Sequence, residues 1–178
     1  AVKSNAELVY DSFNIERYYS IKHSRKGNLI FYGSENFEKD KLNQTFLEVK
    51  NKYGLEQNNY YTCVMRLEPE NNIKMIVKGF IKSKNQDKLI IIGPETPYFL
   101  SEIVPLIDKC NNIDWIGPIY DRLKLMSIRY NAFGYIHGHK VGGTNPTLVE
   151  AIHLDSKIFA FKSIFNKELV SKDCLFGS

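Results

Sequence analysis

At 178 residues the chain is long enough for one domain of ordinary size with a short extra piece, and its 43% hydrophobic and 25% charged content is that of a folded soluble protein. The 24 basic and 20 acidic residues leave a formal charge of +4, small and scattered, which reads as a solvated surface with only a weak preference for anionic partners. Cys63, Cys110 and Cys174 are odd in number, far apart and without a CxxC pair, which argues against a disulfide framework and for a reducing, cytoplasmic setting; no signal peptide and no apolar run of bilayer length is visible.

In chain order, residues 5–19 have helical spacing through Leu8, Val9, Phe13 and Ile15, and residues 28–32 read as a strand ending at Gly33. Residues 36–57 are rich in Asn, Lys and Glu and read as a connector or surface helix. Strands and helices then alternate. A continuous apolar and aromatic run over residues 60–65 precedes a helix carrying Ile73, Ile76, Val77 and Phe80, which Asn71 or Asn72 can cap. Residues 88–92 form a strand ending at Gly93-Pro94. Residues 98–109 suit a helix with Pro105 inside it, and 113–116 form a strand ending at Gly117-Pro118. Further elements follow: a helix over 121–130, a strand over 132–137, a short helix over 147–154, a strand over 157–161, a short helix over 165–170, and a final strand starting at Leu175-Phe176. The chain lacks an initiator Met, and residues 174–178 look like a strand breaking off, as expected of an excised piece.

Continuous rather than alternating apolar strands imply a sheet covered on both faces, and strand–helix alternation implies parallel crossovers. The predicted fold is therefore α/β, a doubly wound parallel sheet, with ligands expected beyond the carboxyl ends of its strands. The most informative loop is Gly138-His139-Lys140-Val141-Gly142-Gly143-Thr144-Asn145-Pro146, between the strand ending at His137 and the next helix. Glycines allow close backbone approach, and free amides at a helix start bind phosphate oxygens. Thr144 or Asn145 can cap that helix, Pro146 suits its first turn, and Glu150 lies one turn further in, within reach of a ribose hydroxyl. By composition alone, the same loop reads equally well as a turn that needs glycine for its geometry. His137 and His139 lie two apart on a strand and face one way, but no third metal ligand is near. A sugar or phosphate contact and a structural role both remain open for them. The Tyr-rich segments lack interleaved basic residues, so no nucleic acid is expected as partner.

The stretch His137-Gly138-His139 … Gly142-Gly143-Thr144-Asn145-Pro146 … Leu148 … Glu150-Ala151 resembles the donor-binding segment of retaining GT-B glycosyltransferases of the family 4 type, most closely their bacterial rhamnosyltransferase branch. Val64-Met65-Arg66-Leu67-Glu68-Pro69-Glu70-Asn71-Asn72, Ile91-Ile92-Gly93 and Trp115-Ile116-Gly117-Pro118 support the resemblance, which covers about residues 59–178. It implies a division into residues 1–57, the end of an N-terminal domain with its connector, and 58–178, a nucleotide-sugar donor domain. It implies Glu150 on the donor's ribose, Gly143, Thr144 and Asn145 on the diphosphate and sugar, and Arg66 neutralising the leaving diphosphate. Gly93, Trp115 and Ile116 would wall the nucleobase. His137, Gly138, His139, Gly142, Pro146 and Leu148 complete the matched segment.

Two positions depart from the family pattern. Gly142 stands where a first glutamate is usual, and Asn71 where a phosphate-site lysine is usual; Lys140 or Lys124 are the available substitutes. The resemblance further implies a dTDP- or UDP-linked sugar donor, no cofactor or metal, and transfer with retention to a polysaccharide or lipid-linked acceptor held by the N-terminal domain. The fragment alone would then turn over little. The implied setting is cytoplasmic, compatible with peripheral attachment of the full-length protein at the inner face of the membrane. A non-catalytic nucleotide-binding or partner-docking domain and a nucleotide-sugar epimerase of the same fold remain as alternatives.

Overall fold

A computed structural model describes residues 7–177. Strand β1 (Val9–Tyr10) leads into helix α1 (Phe13–His23), and strand β2 (Asn28–Leu29) returns to pair with β1 in parallel, Tyr10 opposite Leu29. The predicted helix over residues 5–19 begins outside the described residues and differs within them. Leu8 and Val9 belong to an extended segment, and the helix starts only after Ser12, whose backbone is extended and whose hydroxyl accepts from the Ile15 amide at 3.4 Å. A good N-cap overrides the helical spacing on its N-terminal side.

Helix α2 (Lys39–Tyr53) follows. Its polar composition predicts a surface element, yet Leu42, Phe46 and Val49 share one face and are buried, Phe46 stacking on Tyr60 with ring centroids 6.3 Å apart. Gly54, in the left-handed conformation, ends the helix.

The remaining elements alternate as expected. They are β3 (Tyr60–Val64), α3 (Ile73–Ser83), β4 (Lys88–Ile92), α4 (Pro97–Glu102), α5 (Val104–Ile107), β5 (Ile113–Trp115), α6 (Arg122–Tyr130), β6 (Gly134–His137), α7 (Pro146–His153), β7 (Ile158–Phe161) and β8 (Leu175–Phe176). The helix predicted over 98–109 is two helices. Pro105 has no amide to donate backwards, and the break falls at Ile103. The short helix predicted over 165–170 is a single 3-10 turn, Asn166–Glu168.

Six strands form one parallel sheet in the order β5-β4-β3-β6-β7-β8. Both faces are covered. Ile73, Ile76, Val77 and Phe80 of α3 pack with Phe99, Ile103 and Ile107 over Cys63, Leu89 and Ile91 on one face. Phe46, Val49 and Ile128 of α2 and α6 pack over Tyr60, Ile90 and Ile92 on the other. This two-sided burial explains the unbroken apolar runs in β3 and β4, and burial raises the Cys63 thiol pKa to about 12. The chain runs outward from β3 through β4 to β5, then returns to β6 and runs outward the other way. The crevice beyond the carboxyl ends of β3 and β6 is thus the topological switch point.

Candidate functional site

Two loops frame that crevice, one leaving β3 and one leaving β6. Buried Asn71 donates through Nδ2 to the Arg66 carbonyl (2.7 Å) and so folds the first loop on itself. Asn72, at a positive φ of 56°, donates through Nδ2 to the Gly138 carbonyl (2.8 Å) and ties the first loop to the second. A side chain at Gly138 would meet the Asn71 carbonyl oxygen at 2.1 Å, and one at Gly93 would meet that of Met65 at 2.0 Å. These glycines are fixed by close backbone approach. Asn71, at the position where the resemblance implies a lysine, is thus buried and engaged by the Arg66 backbone.

Between the loops lies a cleft of about 370 Å³ lined by Val64, Arg66, Gly93, Pro94, Pro118, Ile119, Tyr120, Leu125, His139, Asn145, Pro146 and Thr147, among others. Its wall is mostly apolar, and a cation and a helix start also line it, as expected of a small-molecule site. The start of α7 is built as its sequence predicts. Asn145 is the N-cap, its Oδ1 accepting from the Thr147 amide at 3.0 Å, and Pro146 occupies the first turn. Gly142 has φ of 103°, a conformation that favours glycine, so the turn requirement and the ligand reading coexist at this position.

Arg66 is exposed at the cleft, with Glu70 at 3.9 Å. Trp115 and Ile116 are not among the cleft's lining residues. The Trp115 indole donates to the Gly93 carbonyl at 2.9 Å and packs on Phe99, holding the wall from behind, while Ile116 packs against the core under α2 and α6. Leu148 is wholly buried against Tyr135 and Ala151 and anchors α7. Thr144 is buried, and its hydroxyl donates to the Asp11 carbonyl.

His137 and His139 lie parallel, ring centroids 4.6 Å apart and planes within 15°. His137 is fully buried, its Nδ1 3.1 Å from the Tyr135 hydroxyl; burial, then His139 and Arg129 nearby, hold its pKa well below the usual 6.5. Burial and then the Arg66 charge, opposed by Glu70, lower His139 to about 4. Both imidazoles are therefore neutral near pH 7. His137 Nε2 and His139 Nδ1 are buried with no hydrogen-bond partner among the described residues, and His139 faces the cleft. No three His, Cys, Asp or Glu among the described residues converge to hold a metal ion.

The geometry of Glu150 was not legible in the sequence. Its side chain is 11% exposed and sits between two guanidinium groups: Arg129 NH1 at 2.5 Å from Oε2, and Arg122 NH1 at 2.9 Å from Oε1. Arg129 is itself buried, donates to the Thr147 carbonyl and lies over the Tyr135 ring at 4.7 Å. The Tyr135 hydroxyl, its pKa raised to about 12 by burial, donates to Thr147 Oγ1 at 2.9 Å. Arg122 bridges outward to Glu35 at 2.9 Å. One network thus joins α6, β6 and the first turn of α7. Of the two candidate substitute cations, Lys124 lies 3.4 Å from Asp121 at the start of α6, and Lys140 is exposed, its amide donating to the Glu70 carbonyl.

No family model and no curated protein sequence matches the chain. Solved structures do. Anabaena HepE in complex with UDP-glucose superposes with a TM-score of 0.80 at 16% identity, over 99% of this chain and 51% of that one. A glycosyltransferase from Rickettsia africae ESF-5 gives 0.79 at 17%, over 94% and 47%. The UDP-forming α,α-trehalose-phosphate synthase of Burkholderia vietnamiensis gives 0.69 at 12%, over 95% and 47%. At these identities the likeness establishes the fold, the Rossmann-like fold of GT-B glycosyltransferases, and the chain spans about half the length of the proteins it matches.

Proposed function

We propose that this chain is the nucleotide-sugar donor half of a glycosyltransferase. The observation that carries the reading is the cleft at the switch point, where an apolar wall of nucleoside size meets Arg66, His139 and the capped N-terminal end of α7 at Asn145. Two of the neighbours above, one holding UDP-glucose and one named as UDP-forming, support a nucleoside diphosphate as the common ligand.

In this reading the base lies against Gly93, Pro118 and Ile119, and the diphosphate lies toward Arg66, His139 and the loop of Gly142, Gly143, Thr144 and Asn145. The bond between the anomeric carbon and the diphosphate breaks as the acceptor oxygen bonds to that carbon, and the acceptor's proton passes to the departing phosphate. The positive Arg66 and oriented amides stabilise the charge that builds on the leaving group. Neutral His139 offers a hydrogen bond to it without a charge of its own. Glu150 accepts from a ribose hydroxyl while its two arginines hold its carboxylate in place.

Rhamnose is the favoured sugar, from a dTDP-linked donor, with retention and a polysaccharide or lipid-linked acceptor. Those finer assignments rest on the His-Gly-His … Gly-Gly-Thr-Asn-Pro resemblance. Residues 1–57 then close an N-terminal domain and connect it to the donor domain at 58–178, and the acceptor is held outside this chain, which transfers little sugar alone. No helix among the described residues is long and apolar enough to cross a membrane. In this reading the full-length protein attaches peripherally at the inner face of the membrane.

Calorimetry with dTDP, UDP and GDP, on the wild type and on Arg66→Gln, tests the reading. One diphosphate is expected to bind, about 10-fold more weakly in the variant, as the loss of a charge-assisted hydrogen bond dictates. Absence of binding by all three refutes it.

A further inference from the structure

Asp11 carries the inference. It lies between β1 and α1, more than 130 residues from the glycine loop, yet an ideal Cβ at Gly143 would stand 2.5 Å from its Oδ1 and 2.6 Å from its Oδ2. The carboxylate therefore packs directly on the Gly143 backbone, in the space that any other residue there would fill. Its main chain is held on both sides. The Thr144 hydroxyl donates to the Asp11 carbonyl, and the Ile30 amide donates to the carbonyl of neighbouring Tyr10 at 2.8 Å. On the helix side, the Glu168 carboxylate accepts from the Ser12 hydroxyl (3.0 Å), the Phe13 amide (3.1 Å) and the Asn14 amide (2.8 Å). The carboxylate of Asp11 itself has no ion-pair or hydrogen-bond partner among the described residues.

A fixed backbone presenting an unpaired carboxylate is a preorganised hydrogen-bond acceptor. Beside a diphosphate loop its charge is repulsive to the phosphates, so it has no use there as a phosphate ligand. What it suits is the neutral polyol attached to the diphosphate. In the donor-site reading the nucleoside fills the cleft and the transferred sugar extends from Asn145 over the adjoining loop, where Asp11 is packed on Gly143.

We propose that Asp11 is a sugar-contacting residue, its carboxylate accepting hydrogen bonds from hydroxyls of the transferred sugar while disfavouring the bare nucleoside diphosphate. Asp11 thereby sets a preference for sugar-loaded donor over spent diphosphate, and Gly143 is glycine to admit it. This rests on the donor-site reading above.

The test compares UDP with UDP-glucose, and dTDP with dTDP-rhamnose, by calorimetry on the wild type, Asp11→Asn, Asp11→Ala and Gly143→Ala, each first shown to unfold with the wild-type cooperativity. Asp11→Ala is expected to lower the preference for sugar nucleotide over diphosphate by about 10-fold or more, the loss of a hydrogen bond to a charged group. Asp11→Asn is expected to tighten the bare diphosphate roughly threefold by removing repulsion. Gly143→Ala, which displaces the carboxylate, is expected to mimic Asp11→Ala and to add nothing to it in the double variant. An unchanged preference in Asp11→Ala overturns the inference, as does equal weakening of both ligands, which marks Asp11 as a purely structural support. Failure of the wild type to bind either diphosphate refutes the donor-site reading itself and this inference with it.

Discussion

The Arg129–Glu150 pair offers the sharpest test of how the site is built. Arg129 is 1% exposed and Glu150 11%, so replacing Arg129 by Met leaves a nearly buried carboxylate with only the half-exposed Arg122 beside it. Removing one member of a buried pair costs about 3–5 kcal/mol, because the surviving charge is stranded in a poorly solvating interior. Arg122 compensates in part, which places the expectation near 3 kcal/mol, or roughly 6–12 °C in Tm for a chain of this length. Arg122→Ala, which removes a more exposed partner, is expected to cost about 1 kcal/mol or less. The double variant Arg129→Met/Glu150→Met replaces the whole pair by apolar side chains of similar length and is expected to regain most of the loss. Urea unfolding followed by circular dichroism measures all four proteins. If Arg129→Met lies within about 1 kcal/mol of the wild type, or if the double variant is no more stable than the single, the pair is not the buried, mutually dependent unit described here. The same reasoning governs how Glu150 is probed for function. Glu150→Ala strands the Arg129 charge and confounds binding with stability, whereas Glu150→Gln keeps an acceptor for one guanidinium.

Two further outcomes are expected. Gly138→Ala forces a methyl to within 2.1 Å of the Asn71 carbonyl oxygen, which separates the two loops across the cleft; it is expected to abolish diphosphate binding in calorimetry at a stability loss of about 1–3 kcal/mol by thermal unfolding. Acid is expected to destabilise the fold through the histidine pair. His139 is lowered from 6.5 to about 4 and His137 is held well below 6.5, so the unfolded chain binds protons that the folded chain refuses. Stability is then fully present above about pH 6.5 and falls as pH drops toward 4, by roughly 3 kcal/mol from His139 alone. Urea midpoints between pH 7 and 4.5 check this, and His139→Gln should flatten the slope; a midpoint independent of pH over that window in the wild type refutes it.

What the sequence determined by itself is the part of the molecule whose causes are local. Continuous apolar runs at residues 60–65 and 88–92 specify strands buried on both faces, and the cap at Asn145 with Pro146 behind it specifies where α7 starts. The glycine loop was identifiable because close approach and positive φ leave glycine as the residue that fits, as at Gly138 and Gly142. Local patterns failed where a stronger cue intervened. Ser12 begins α1 later than the apolar spacing suggests, and α2 looks polar because only one of its faces meets the sheet.

The tertiary structure decided the pairings across long sequence separations. Arg129 looks like any helical arginine until the fold carries it to Glu150, 21 residues away, and only burial turns that meeting into a structural unit. Trp115 and Ile116 read as walls of a base site, but neither lines the cleft: the Trp115 indole donates to the Gly93 carbonyl and Ile116 packs under α2 and α6. Asp11 met Thr144 across 133 residues and Ser12 met Glu168 across 156, contacts that no periodicity or spacing encodes. Local sequence sets backbone conformation through short-range sterics and hydrogen bonds. Which charged groups share a buried pocket is set by how the sheet closes, and that is a property of the whole chain.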